Sequence, residues 1–91
     1  MGDYPLLNQE VARVLKARRE ELNLSKRKLA EMARLERVYL IQLEKGEKRP
    51  TVIALFFLSE ALDMKPSDML AAIEEEIDRM GRSRESAYAI N

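Results

Sequence analysis

Four residues near the middle of this 91-residue chain, Arg37, Val38, Ile41 and Gln42, carry side chains suited to reading the edge of a base pair. The Arg37 guanidinium can offer a two-pronged donor to guanine O6 and N7, or grip a phosphate. The Gln42 amide can pair with adenine N6 and N7, and Val38 and Ile41 can touch a thymine methyl group. Taken singly, each is the kind of residue found on any exposed helix; the spacing singles them out. Leu40 and Leu43, three apart, form a buried stripe, which leaves Arg37, Val38, Ile41, Gln42 and Lys45 pointing away from the core. Lys26, Lys45, Lys48 and Arg49 are placed to hold phosphates, which fixes register without carrying sequence information. Tyr39 has two readings: its ring can pack on the core edge, or its hydroxyl can donate to a phosphate.

Catalysis has no comparable constellation. The chain has no His and no Cys, which removes the usual zinc ligands and any disulfide framework. Ser25, Ser59, Ser67, Ser83 and Ser86 lack an activating setting, and the carboxylates are scattered along amphipathic segments. No enzymatic activity, cofactor or metal is expected. Net charge is zero, from 16 Lys+Arg against 16 Asp+Glu, yet the charges segregate. Residues 1–50 hold twelve basic and eight acidic side chains, whereas residues 51–91 hold four and eight, so a +4 half adjoins a −4 half. The positive half contains the base-reading candidates, where attraction to a polyanion is needed. The Glu74-Glu75-Glu76 run reads as a solvated face in the other half.

Positioning these side chains falls to five helices, expected at about residues 9–22, 26–33, 37–45, 52–62 and 68–80. Asn8, Ser25, Thr51 and Ser67 are the cap candidates. Val11, Val14, Leu15 and Leu22 should face inward from the first helix, and Leu29, Ala30 and Ala33 from the second. Leu35 should plug the turn, Leu55, Leu58 and Leu62 should line the fourth helix, and Leu70, Ile73, Ile77 and Met80 the fifth. Gly46 suits a left-handed stop after the third helix, and Lys65-Pro66 breaks the chain before the fifth. The fold class is therefore all-α, with one domain over residues 1–80. Residues 81–91, polar and weakly patterned, are expected to form a flexible tail. Helices two and three, joined by a tight turn, make a helix-turn-helix whose second helix can enter the DNA major groove.

Arg19, Ser25, Leu29-Ala30, Leu40, Glu44, Gly46, Pro50, Leu55, Ala61-Leu62 and Met64 occur in order and without insertions across about residues 10–70. In this joint spacing the chain resembles the lambda-repressor/Cro-like helix-turn-helix family, of the xenobiotic-response-element type. The run from Arg37-Val38-Tyr39-Leu40 through Glu44-Lys45-Gly46 is also similar to the small controller proteins of restriction–modification systems. The resemblance implies a compact five-helix DNA-binding domain that reads bases from Arg37, Val38, Ile41 and Gln42. It also implies a partly buried ion pair, Arg19 with Glu44, tying the first helix to the recognition helix. Four positions depart from the family. Arg34 stands at a turn position often filled by Gly, where a positive φ would carry a steric cost. Ile41 replaces a small polar residue, Glu36 stands where Ser or Thr often caps the recognition helix, and Lys26 replaces a usual Gln.

Ile53 and Phe57 lie four apart at positions the family more often fills with polar residues, which implies a covered surface. A homodimer contact completed by Met69, Ile73 and Ile77 of the fifth helix is the favoured reading; the other is a fifth helix that folds back over the pair within one chain. The expected function is a sequence-specific DNA-binding transcriptional regulator, dimeric, acting at an operator and open to autoregulation. Such a regulator is also open to recruiting polymerase; the alternative is an antitoxin or other protein-interaction module on the same fold, with a toxin as protein partner. Double-stranded DNA and a second copy are thus the expected partners. The longest apolar run, Val52 to Leu58, is too short to span a bilayer, and the N-terminus lacks a signal pattern. A cytoplasmic location without membrane contact is expected.

Overall fold

The computed structural model describes residues 7–81, which form five α-helices: α1 (Leu7–Glu21), α2 (Lys26–Ala33), α3 (Arg37–Glu44), α4 (Val52–Ala61) and α5 (Pro66–Gly81). No strand occurs among the described residues, and the fold is all-α. Of the tail expected over residues 81–91, Gly81 instead closes α5; residues 82–91 and the side chain of Met80 lie outside the described residues.

Helix starts follow from hydroxyl caps and from proline. Ser25 Oγ accepts the Lys28 N–H at 3.0 Å and Thr51 Oγ1 accepts the Ala54 N–H at 2.9 Å, each satisfying a donor the first helical turn leaves unpaired. Two expected caps are corrected. α1 begins at Leu7, so Asn8 lies inside it, and α5 begins at Pro66, so Ser67 is its second residue. Proline's fixed φ and missing N–H suit the first helical position, and the Met69 N–H is received by the Lys65 carbonyl at 3.0 Å.

Helix ends repeat one device four times. A left-handed residue reverses the chain, its N–H returns to a carbonyl three back, and the next N–H reaches five back, as in a Schellman motif. These residues are Asn23 (φ 57°), Arg34 (φ 59°), Gly46 (φ 75°) and Asp63 (φ 58°). The longer bonds are Leu24 N–H to Arg19 O, Leu35 to Ala30, Glu47 to Gln42 and Met64 to Ser59, at 2.8–3.0 Å. Leu24, Leu35 and Met64 follow the left-handed residues directly, and all three pack against the core.

Leu15, Leu29, Leu40, Leu43, Leu58, Leu62 and Met69 form the centre of that core, each almost fully sealed from solvent. α5 folds back on α1 and α4 in the same chain. Met69 is 0 % exposed and Ile73 5 %, so the expectation that they complete a dimer contact is corrected: both are spent inside their own protomer. Leu70, expected inward, points out at 54 % exposure, and Leu22 at 36 % lies past the last turn of α1. Ile77 is half-buried against the core.

Two charged contacts brace α1 against its neighbours. The Arg13 guanidinium lies 3.8 Å from Glu10 and 3.7 Å from Glu76, placing one cation between two buried carboxylates of α1 and α5. Arg79 pairs with the same Glu76. Arg18 Nε donates to the Leu62 carbonyl at 3.1 Å, satisfying an acceptor at the end of α4 that has no intrahelical partner.

Candidate nucleic-acid interface

α2, the Arg34-Leu35-Glu36 turn and α3 build the surface that the sequence singles out. Leu29, Ala30 and Ala33 bury one side of α2, and Leu40 and Leu43 bury one side of α3. The opposite side of α3 is thereby turned outward. Arg37, Val38 and Lys45 are exposed, Val38 at 64 %; Ile41 and Gln42 are half-buried on the same helix. Ile41 thus offers an edge more than a whole side chain. Lys26 at the head of α2 and Lys48 and Arg49 after α3 are all exposed, so cations flank α3 at both ends of the motif. Val38, Gln42 and Lys48 line one open concavity together with Arg34 and Glu36 of the turn.

The angle of α3 is held from beneath by Arg19 and Glu44. Arg19 Nε meets Glu44 Oε2 at 2.7 Å and its second terminal nitrogen meets Oε1 at 3.0 Å, while the remaining one donates to the Leu24 carbonyl at 2.8 Å. The two side chains are 10 % and 2 % exposed. The hydrogen bond that Arg19 donates to Glu44 holds its guanidinium above its ordinary pKa, against the opposing pull of burial. A bidentate fork fixes direction as well as distance, so the pair sets how α3 leaves α1.

Tyr39 resolves between its two readings. Its ring packs against the core, and its hydroxyl donates to the Arg49 carbonyl at 3.4 Å and accepts the Thr51 N–H at 3.3 Å. That gives Tyr39 a loop-bracing role, with its one proton directed at the chain itself. It bridges the Lys48-Arg49 loop to the start of α4. Gly46 sits beneath Gln9 of α1: a Cβ there would collide with the Gln9 side-chain amide. Sequence reading missed Gln9, Arg13 and Arg18, whose neighbours Gly46, Glu76 and Leu62 are distant in the chain and leave no local pattern.

α4 differs from the other helices in being apolar on every side until Ser59. Val52 is 70 % exposed, Ile53 68 % and Phe56 55 %, on one side of the helix, while Phe57 is half-buried against the core. Phe57, expected beside Ile53 on the surface to be covered, thus turns toward the core, and Phe56 is the exposed aromatic. Among the described residues no group of carboxylate, His or Cys side chains could hold a metal ion, and no helix is long and apolar enough to cross a membrane.

A buried-sided α2 packed across an outward-facing α3, ringed by lysine and arginine, defines the helix-turn-helix class of DNA-binding proteins. Residues 15–69 match the family described as "Helix-turn-helix", and the chain belongs to this lambda-repressor-like family of DNA-binding transcriptional regulators, which is not an enzyme family. Among solved structures it is similar to the clp gene regulator ClgR from Corynebacterium glutamicum, at 26% identity over 94% of this chain and 92% of that one, with a TM-score of 0.79. It is also similar to the restriction-modification controller protein C.AhdI from Aeromonas hydrophila, at 26% identity, covering 68% of this chain and 94% of that one, TM-score 0.66. The controller protein C.Esp1396I shares the fold at 22% identity, covering 84% and 95% of the two chains, TM-score 0.73. No curated protein sequence matches the chain.

Proposed function

We propose that this regulator binds operator DNA sequence-specifically as a homodimer, with α3 of each copy in the major groove. The observation that carries the reading is the outward side of α3, where Arg37, Val38 and Gln42 stand above the Arg19–Glu44 clamp with exposed Lys26, Lys45, Lys48 and Arg49 around them. Arg37 and Gln42 read base edges, Val38 and the edge of Ile41 contact methyl groups, and the lysines with Arg49 neutralise phosphates.

The second copy meets the first across α4. An all-apolar helix is a buried helix, yet Val52, Ile53 and Phe56 are open in one chain. An isologous contact needs a patch complementary to itself, and an uncharged apolar patch on a two-fold axis meets that condition. Ile53 keeps the interface role first assigned to it, Phe56 takes that of Phe57, and Ile77 is already packed against the core of its own chain. Two symmetric recognition helices then read half-sites about one DNA turn apart.

Autoregulation, which the sequence leaves open, would place the target upstream of the regulator's own gene. Fluorescence anisotropy with that upstream duplex and a scrambled duplex, across a salt series, tests the reading. Tighter binding to the upstream DNA, weakening steeply as salt rises, is the expected outcome. Equal binding to both would remove autoregulation, and no binding to either would remove the DNA reading.

A further inference from the structure

Three of the four left-handed residues that end helices are of types that tolerate this conformation. Glycine has no Cβ to clash, and Asn and Asp enter the left-handed region at reduced cost through local hydrogen bonding of their short side chains. Arg34 has neither excuse. At φ 59° and ψ 38° it holds a long side chain where Gly would relieve the backbone. Its backbone N–H does what any residue's would, returning to the α2 carbonyls. Its guanidinium does nothing for the fold: the side chain is exposed and has no ion pair or hydrogen bond among the described residues. The α2 carboxylate of Glu31 is engaged by Arg27 instead, at 3.7 Å. A strained residue that stabilises nothing points to a role outside the folded chain.

We propose that Arg34 is a DNA-phosphate anchor, gripping the backbone at the edge of the groove that α3 enters. The inference rests on the DNA-binding reading above. Arg34 lines the same concavity as Val38 and Gln42 of α3 and Lys48 of the following loop, so a strand tracking that concavity passes both cations. It belongs to the turn and not to the outward side of α3, which assigns it to phosphate and not to a base edge. Glu36 shares the concavity, and its carboxylate would repel a phosphate. Arg34 offsets that repulsion while making its own contact.

The test uses the full chain and the duplex that the unaltered protein binds. Arg34→Gly should raise the melting temperature by about 4 °C as the strained backbone relaxes, yet bind DNA roughly five- to tenfold more weakly. The slope of log affinity against log salt should flatten by about 0.9, one phosphate's worth. Arg34→Ala should show the same binding loss without the gain in melting temperature, and Arg34→Lys should keep most of the affinity. The loss should persist in a Glu36→Gln background. Arg34→Ala binding like the unaltered protein at every salt concentration would overturn the proposal alone. So would a loss that disappears beside Glu36→Gln, since Arg34 would then merely screen a carboxylate. Failure of the unaltered protein to bind any duplex would overturn the DNA reading and this inference with it.

Discussion

On the proposed assignment Arg37 and Gln42 differ from Lys48 in what their loss should do, because a base edge carries sequence and a phosphate does not. Arg37→Ala and Gln42→Ala should each weaken cognate DNA by about 1–3 kcal/mol more than random DNA. Lys48→Ala should weaken both equally and flatten the salt dependence. Anisotropy titrations on the two duplexes separate these outcomes, and equal losses on both DNAs for all three variants would remove the base-reading assignment. Gly46 presents a different single-residue case. Its φ of 75° is strained for any other residue, whereas the nearby Gln9 amide is the end of a side chain that can swing away. Gly46→Ala should therefore cost about 1–2 kcal/mol in thermal melting through the backbone, and Gln9→Ala in the same chain should recover little of it.

The helices act as a unit through α1, which carries the cations that hold three of the others. Arg19 grips α3, Arg18 closes α4, and Arg13 lies between Glu10 and Glu76 of α5. Arg19→Ala leaves the Glu44 carboxylate buried without its partner, and should cost about 3 kcal/mol or slightly more by thermal or urea unfolding. The pH dependence of that deficit follows from sign. Because Arg19 is held above its ordinary value, its stabilising contribution is fully present below that ordinary value and is lost only as pH rises through the raised one. Both lie far above neutrality, so the deficit measured at pH 7 and at pH 9 should be the same. α5 belongs to this scale too. Met69→Ala removes a sealed core side chain and should lower stability by about 2–5 kcal/mol, with a loss that does not depend on protein concentration.

At the scale of the whole molecule the two halves carry opposite charge and separate duties. The basic half presents α3 and its flanking cations to a polyanion; the acidic half supplies α4 and α5, whose exposed carboxylates keep that end away from phosphate. An apolar patch of Val52, Ile53 and Phe56 lies on the acidic half, and the dimer proposed above would leave the recognition side free. Phe56→Asp should yield monomers by sedimentation with the helical content intact, and should weaken operator binding far more than binding to a single half-site. A sedimenting mass unchanged by Phe56→Asp and Ile53→Asp would remove the α4 contact.

Much of this architecture is legible without coordinates, because it is written in local chemistry. Ser25 and Thr51 mark helix starts by offering a hydroxyl to unpaired amides, Gly46 marks a stop by admitting a positive φ, and the Leu40–Leu43 spacing sets which side of α3 faces out. Arg19 and Glu44 were placed by resemblance to a family, not by local pattern, since they lie 25 residues apart. Tertiary structure alone decided the remainder. α4 is apolar all round, so its sequence has no phase, and only packing against α2 and α5 determined that Phe57 turns inward and Phe56 outward. α5 offers Met69 on one side and Leu70 on the next; the fold-back onto α1 buried the first and exposed the second. The left-handed angle of Arg34, by contrast, is local: it follows from the turn's own hydrogen bonds, at a position where the family's frequent Gly already pointed to a positive φ. Periodicity and capping determine where helices are, and contact between helices determines which of their faces remain free to act.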